Sequence, residues 1–350
     1  MRDLIILLDG ATDDPIPDLN GLTPLRAAHK PFLDSIASRG EMGHTDSRAY
    51  THLYLLEFLS GKGVDIPRGI IEACGLGLPI GPGRIAYRLT PAIITEGKVE
   101  WFYKLSCHDE MMLQRAVLKS KKKLEGMDPA IIFYQGGKGV MTVKADKVMD
   151  LPKPPCPAKI HPEDLGQFGV FAEAVADEMH GMTVLPWGGG KGELVEQFSD
   201  LSPKAKGLQV ISKSPSGLGV AAFLGMKGQR VGDYREAVKA AKVALKKGDV
   251  LLHFEETDDI SHKKAPREKV ELIEMIDREL AKSAADLDKC RISIVIDHGA
   301  SSLTGNHMIM QVPYAVALPG PPSFGRCYCE DGGPAVPLSG LLNHLTTWQA

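Results

Sequence analysis

Cysteine is sparse and dispersed: Cys74, Cys107, Cys156, Cys290, Cys327 and Cys329 are spread over a chain of 350 residues. That spread excludes a disulfide-stapled scaffold and fits a reducing cytoplasm. Cys327 and Cys329 are the one close pair. No second pair exists to complete a thiolate metal site, so both are expected to be structural. Net charge is equally scant, −3 from 41 basic and 44 acidic residues. With neither sign in excess there is no general attraction to nucleic acid or to an anionic membrane, and the expected ligand is small. Before Asp9 the N-terminus offers only five consecutive apolar residues, Leu4 to Leu8. These are too few for a signal-peptide core or a membrane span, so a soluble, cytoplasmic protein is predicted.

What is present is hydrophobic residue at 43%, enough for one large core or two modest ones. The run Leu4–Leu8 suits a strand buried on both faces of a parallel sheet. Two further runs, Val250–Phe254 and Ile292–Ile296, share its character, and all three lead into acidic residues: Asp9, then Glu255 to Asp258, then Asp297. Between them lie helical patterns. Residues 234–247 are rich in alanine and lysine, and Pro266–Ala281 repeats Val270, Ile273, Ile276 and Leu280 behind an N-terminal proline. Strands alternating with amphipathic helices predict an α/β fold with a mainly parallel sheet flanked by helices.

The middle of the chain reads differently, with short β-rich pieces at Ile85–Ile94, Val99–Tyr103 and Val140–Val143 and a proline-rich stretch from Leu151 to Pro162. It predicts an inserted α+β cap over 85–166, leaving 1–84 and 167–350 as the core. Within the cap, Gly136–Gly139 reads as a hairpin turn and Lys121–Lys123 as the solvated end of a helix. Gly188-Gly189-Gly190-Lys191-Gly192 invites a phosphate-loop reading, but no Ser or Thr follows the lysine.

In open α/β sheets ligands gather beyond the carboxyl ends of the strands, so three strands ending in Asp bring three carboxylates toward one edge. Histidines fall at fitting positions: Asp258 and His262 one helical turn apart, Asp297 beside His298, and His307 nine residues on. Carboxylate oxygen mixed with imidazole nitrogen is the donor set of zinc, manganese or iron rather than of calcium or thiolate sites. Asp9, Asp258, His262, Asp297, His298 and His307 could hold two ions about 4 Å apart, three ligands each. Spacing alone leaves His262 and His307 equally readable as surface-loop residues.

These residues resemble, in order and over most of the chain, the archaeal-type cofactor-independent phosphoglycerate mutase family of the alkaline phosphatase superfamily. The resemblance is carried by Leu8-Asp9-Gly10 with Thr23-Pro24-Leu25-Arg26-Ala27-Ala28, by Pro67–Gly77, by Trp187–Gly190, by Leu224-Gly225-Met226, by Thr257–His262, and by Asp297-His298-Gly299 with His307 and Val312-Pro313. It implies an alkaline-phosphatase-like core with a cap. It assigns Asp9, Asp297 and His298 to one divalent ion (manganese, zinc or magnesium) and Asp258, His262 and His307 to the other. It further implies a phosphoseryl or phosphothreonyl intermediate and isomerisation of a small phosphorylated acid, a step of glycolysis.

The sequence departs from that family in two places. The Pro-Gly-Ser-Asp loop that carries the family's nucleophile is missing from the shortened stretch Gly43–Leu56. Either Thr51 or Ser47 can supply the hydroxyl instead, or either can be a plain helix cap. In the cap, Trp101–Cys107 replaces an arginine-bearing segment, leaving Arg68, Arg88 and Lys138 as candidate anion binders. A phosphohydrolase, a homoserine-kinase-like phosphotransferase and a non-catalytic homologue therefore stand as alternatives.

Overall fold

The computed structural model describes every residue except Tyr103, 150–153, 155–158, 198–202, Asp288 and Ala350. Cys156 and most of the proline-rich stretch lie outside the described residues. The chain forms two compact units, Met1–Asp65 with Asp200–Ala350, and Ile66–Ser199. Among the described residues, no helix is long and apolar enough to cross a membrane.

Strands are numbered in chain order. The first unit holds β1 (Asp3–Leu8), β2 (Glu41–Asp46), β8 (Leu208–Ser212), β9 (Lys227–Arg230), β10 (Asp249–Phe254), β11 (Arg291–Val295) and β14 (Gln311–Ala317) in a seven-stranded sheet of order β2-β14-β11-β1-β10-β8-β9. The five strands from β11 to β9 are parallel, and β14 and β2 close one side antiparallel. A short ladder, β12 (Gly299–Ala300) against β13 (His307–Met308), accompanies the sheet. The three apolar runs are β1, β10 and β11, and β1 lies between the other two. Helices Pro31–Arg39, Tyr234–Ala244 and Pro266–Ala281 contribute Leu33, Ile36, Val238, Ala241, Ile273 and Ile276 to the same core as Leu4, Ile6, Leu252 and Ile294.

Helix Pro266–Ala281 keeps its expected bounds, but its buried face includes two charged groups that periodicity of apolar residues does not report. Asp277 accepts the backbone N–H groups of Phe32 at 3.3 Å and Leu33 at 2.9 Å. It thereby caps helix Pro31–Arg39, whose own N-cap, Lys30, makes no side-chain cap. Lys269, wholly enclosed, donates from Nζ to Asp13 Oδ2 at 3.0 Å and to the Ala300 carbonyl at 2.8 Å. Asp13 Oδ2 also accepts the Ser302 N–H at 2.9 Å. One ion pair therefore fastens the loop after β1 to the chain around β12.

The second unit is built on β3 (Arg84–Thr95), β4 (Lys98–Trp101), β5 (Ala130–Phe133), β6 (Gly139–Lys144) and β7 (Met182–Lys191), all antiparallel. It has its own core, with Tyr87, Leu113, Phe171 and Val184. Composition marked only 85–166 as a cap, yet this unit runs from Ile66 to Ser199. The physical reason is pairing and packing: β7 pairs along β3, and helix Arg68–Leu76 packs on β3 and β7. Trp187–Lys191 is thus strand rather than phosphate loop, and Gln135–Gly137 turns β5 into β6 as a hairpin.

Replacing Lys269 by Ala leaves the enclosed Asp13 carboxylate without its cation. The expected cost is about 3–5 kcal/mol, read as a lower urea midpoint; a loss below about 1 kcal/mol would show the pair to be dispensable.

Candidate metal centre

Five of the six candidate ligands follow the ends of three parallel strands, and the sixth lies on the short β12–β13 ladder. Asp9 follows β1 directly, its N–H bonded to the Phe254 carbonyl at 3.0 Å. Asp258 and His262 lie on helix Glu256–His262, which begins two residues after β10. Asp297 and His298 follow β11, and His307 opens β13. Because β1 is flanked by β10 and β11, Asp9 stands between the other two groups. Gly10, at φ +61°, permits the approach: a Cβ there would meet Asp258 Oδ1 at 2.8 Å.

The six side chains converge. His262 Nε2 is 3.1 Å from Asp258 Oδ2, His307 Nε2 is 3.4 Å from Asp258 Oδ1, and the two imidazole nitrogens are 3.2 Å apart. His298 Nε2 lies 3.3 Å from Asp9 Oδ1 and 3.5 Å from Asp297 Oδ2. The His298 and His307 rings stack with centroids 4.1 Å apart, joining the two clusters. Backbone carbonyls hold the far side of each ring: Gly305 on His262 Nδ1 at 2.7 Å, Ala49 on His307 Nδ1 at 2.8 Å and Gly299 on His298 Nδ1 at 3.2 Å. Those contacts leave each Nε2 aimed inward, the orientation a metal-ligating imidazole needs.

Electrostatically the cluster is strained toward a cation. Burial opposes charge on Asp9, but hydrogen bonds from His253 and His298 overcome it and hold its carboxyl well below the usual range. Asp258 is likewise held down, against burial, by His262 and His307. Burial and the neighbouring Asp9 charge push Asp297 up to about 6. His298 is pushed up to about 10, because Asp297 and Asp9 outweigh its burial. Among the described residues, Asp297 Oδ2 is buried without a hydrogen-bond partner, while Asp258 Oδ1 and His298 Nε2 have only the long imidazole–carboxylate contacts at 3.4 and 3.3 Å. Orphaned donor and acceptor atoms facing one another are costly unless a further group sits between them. Two sets, Asp258 with His262 and His307 and Asp9 with Asp258 and His298, bring their ligand atoms within 4.8 Å of one another. The residues present therefore fit divalent ions of the carboxylate–imidazole kind.

Two hydroxyls were candidates for the nucleophile, and the fold separates them. Thr51 is the first residue of helix Thr51–Ser60, and its Oγ1 donates to Asp9 at 3.2 Å (Oδ1) and 3.1 Å (Oδ2). Ser47 Oγ instead accepts the Met310 N–H at 2.8 Å, tying β2 to the chain before β14. Arg48, at the serine position in one alignment of this stretch, bonds the Asp297 carbonyl through its N–H at 3.1 Å and turns its guanidinium to Glu57.

Comparison with known proteins gives the chain's similarities over its length. A family profile described as "Metalloenzyme superfamily" covers residues 217–328. Curated 2,3-bisphosphoglycerate-independent phosphoglycerate mutases of Methanopyrus kandleri and Pyrococcus horikoshii are each 27% identical, over 89% and 90% of this chain and 86% and 88% of theirs. The chain is a relative of the archaeal-type cofactor-independent phosphoglycerate mutases. A solved Pyrococcus horikoshii protein shares the fold with TM-score 0.77 at 22% identity, covering 99% of this chain and 96% of that one. The cofactor-independent phosphoglycerate mutase of Thermoplasma acidophilum does so with TM-score 0.58 at 19% identity, covering 99% of each. The first unit is thus a mixed α/β core with a mostly parallel sheet, a fold shared with these solved proteins, and the chain is similar to phosphoglycerate mutases.

The cluster also contains a residue that motif spacing passed over. His253, inside the buried run of β10, donates from Nε2 to Asp9 Oδ2 at 2.9 Å, which leaves Nδ1 to accept from Ser212 Oγ at 2.9 Å. The signal was available: a histidine in the middle of a strand buried on both faces must be hydrogen-bonded.

In the second unit the anion-binding candidates are partly committed. Arg68 and Arg88 pair with the enclosed Glu72 at 2.7 and 3.1 Å, and Tyr134 donates to Glu72 at 2.6 Å. Arg88 also lies 5.1 Å from the Trp187 ring centroid. Lys138 follows the Gln135–Gly137 turn, at the start of β6. Burial opposes charge on Glu72, but Arg88 and Arg68 hold it down to about 2. Its stabilisation is present above the ordinary carboxyl value of 4.5 and lost as pH falls from there toward 2. Glu72→Gln should cost on the order of 3 kcal/mol at neutral pH and flatten that acid slope. Urea unfolding followed by the fluorescence of Trp101 and Trp187 reads it; an unchanged slope would remove Glu72 from the balance.

Proposed function

We propose that this chain is a divalent-metal-dependent phosphomutase that moves a phosphoryl group between the two hydroxyl oxygens of phosphoglycerate or a similar small phosphorylated acid. The observation that carries the reading is the Thr51 hydroxyl, at a helix N-terminus and within hydrogen-bond reach of Asp9 inside the ligand cluster. Asp9, Asp297 and His298 would hold one ion, and Asp258, His262 and His307 the other. Such ions neutralise phosphoryl oxygens and lower the pKa of a coordinated hydroxyl.

The protein's own groups do the rest. Thr51 Oγ1 is aimed by Asp9, which receives the direction of its proton, and the first turn of helix Thr51–Ser60 presents backbone N–H groups that favour phosphate oxygens. Oγ1 gives up its proton to solvent as it attacks phosphorus in line; the bond from phosphorus to the substrate oxygen breaks, and that oxygen leaves as a hydroxyl after taking a proton from solvent. The second hydroxyl of the same substrate then attacks phosphothreonine 51 and restores the Thr51 hydroxyl. His253 and Ser212 keep the Asp9 carboxylate in place. Arg68, Arg88 and Lys138 are the cations proposed to recognise the substrate's carboxylate and phosphate. Glu72 partly neutralises Arg68 and Arg88, which favours a carboxylate over a multivalent phosphate as their ligand.

Incubation of the purified chain with manganese and 3-phosphoglycerate should yield 2-phosphoglycerate by phosphorus NMR. Release of inorganic phosphate alone would replace the mutase by a phosphohydrolase, transfer to an added alcohol would point to a kinase-like phosphotransferase, and no turnover would leave a non-catalytic homologue. Thr51→Ala should lower turnover by at least about a hundredfold and abolish the phosphoprotein seen by intact mass, with Thr51→Ser restoring both. Full turnover in Thr51→Ala removes that residue from the mechanism. His262→Ala should cut bound metal at least about tenfold, measured by plasma mass spectrometry; unchanged stoichiometry would contradict the ligand assignment.

A further inference from the structure

Away from the metal cluster, the two close cysteines sit in surroundings built for an anion. Cys327 is half-buried and Cys329 is 1% exposed. Lys30, whose side chain is 0% exposed, donates from Nζ to Cys327 Sγ at 3.1 Å and pairs with Asp34 at 3.1 Å. Arg26 Nη2 lies 3.5 Å from Cys329 Sγ. The backbone is pinned as well, since Asp34 accepts the Tyr328 N–H at 2.8 Å. Lys30 is the enclosed cation beside Cys327, whereas Arg26 is 39% exposed and paired with Asp331; the enclosed ammonium favours a thiolate at Cys327 and disfavours a soft metal ion there. The adjacent Cys329 thiol and the Lys30 ammonium together hold Cys327 down to about 6, while Cys329 is pushed up. One sulfur is thus an anion near neutral pH and the other keeps its proton. A cavity of about 350 Å³ opens on Cys327, bordered by His29, Asp34, Phe324 and Arg326. Phe324 is 79% exposed at its rim.

We propose that Cys327 is a thiol–disulfide exchange site for low-molecular-weight disulfides, with Cys329 as the resolving thiol. The Cys327 thiolate attacks one sulfur of a small disulfide RS–SR within the cavity. A Cys327–S–SR bond forms, the S–S bond of the reagent breaks, and RS⁻ leaves and takes a proton from water. Cys329 then loses its proton, attacks Cys327 sulfur and displaces the second RS⁻. Per cycle the protein dithiol is oxidised by two electrons and RS–SR is reduced to two RSH. Neither step involves the metal cluster, so the proposal stands or falls independently of the mutase reading.

The full-length protein is pulsed with iodoacetamide across a pH series, and each cysteine is quantified by peptide mass spectrometry, with exposed Cys107 as internal reference. Labelling of Cys327 should reach half its plateau near pH 6, and in urea that midpoint should move to the ordinary thiol value of about 8.5. The midpoint is the readout because a low-pKa thiolate is also a weaker nucleophile, which compresses differences in rate to a few fold. With glutathione disulfide, Cys329→Ala should accumulate one glutathionyl group on Cys327, whereas the unaltered protein should end two hydrogens lighter with Cys327 bonded to Cys329. A native midpoint at the ordinary value overturns the proposal. So does glutathionylation of Cys329→Ala at Cys107 in preference to Cys327.

Discussion

Three carboxylates, Asp9, Asp258 and Asp297, gather beyond the ends of three neighbouring parallel strands, and their mutual repulsion is the constraint on which the site depends. Hydrogen bonds from His253, His262, His298 and His307 offset part of it. The remainder appears in Asp297, which burial and Asp9 push up to about 6 and whose Oδ2 is buried with no hydrogen-bond partner among the described residues. A fold does not keep such an arrangement for its stability; it is the form a cation-binding site takes. The buried Lys269–Asp13 pair and Gly10 serve the same end, fixing the loops after β1 and β11 close enough for the cluster to exist.

Much of this was legible in the sequence because the signals are local. A five-residue apolar run ending in Asp specifies a buried parallel strand and a carboxylate at its end, and β1, β10 and β11 lie where those runs predicted. Helix Pro266–Ala281 followed from its period and its leading proline. What stayed hidden depends on pairing between distant segments. The second unit's true extent rests on β7 finding β3, and neither strand carries that register in its composition. His253 drew no reading of its own because its partners, Asp9 and Ser212, are supplied by other parts of the chain. Lys30 lies 297 positions from Cys327, so nothing near the cysteines announced a neighbouring cation.

The shortened stretch before Thr51 shows how the departure from the family's nucleophile loop is accommodated. Without that loop, the chain leaves β2 through Ser47 and Arg48, whose polar groups are spent on Met310, Asp297 and Glu57, and bends at Ala49 and Tyr50 into helix Thr51–Ser60. The helix start then carries the hydroxyl to Asp9. A hydroxyl beside a metal ligand, at the positive end of a helix, meets the chemical requirement whether the residue is serine or threonine.

The central claim, that six side chains surround two divalent ions, is tested most directly by anomalous scattering from crystals grown with manganese. The account predicts two peaks, one bounded by Asp258, His262 and His307 and one by Asp9, Asp297 and His298. No peak among these residues, or manganese bound only elsewhere on the surface, would contradict it.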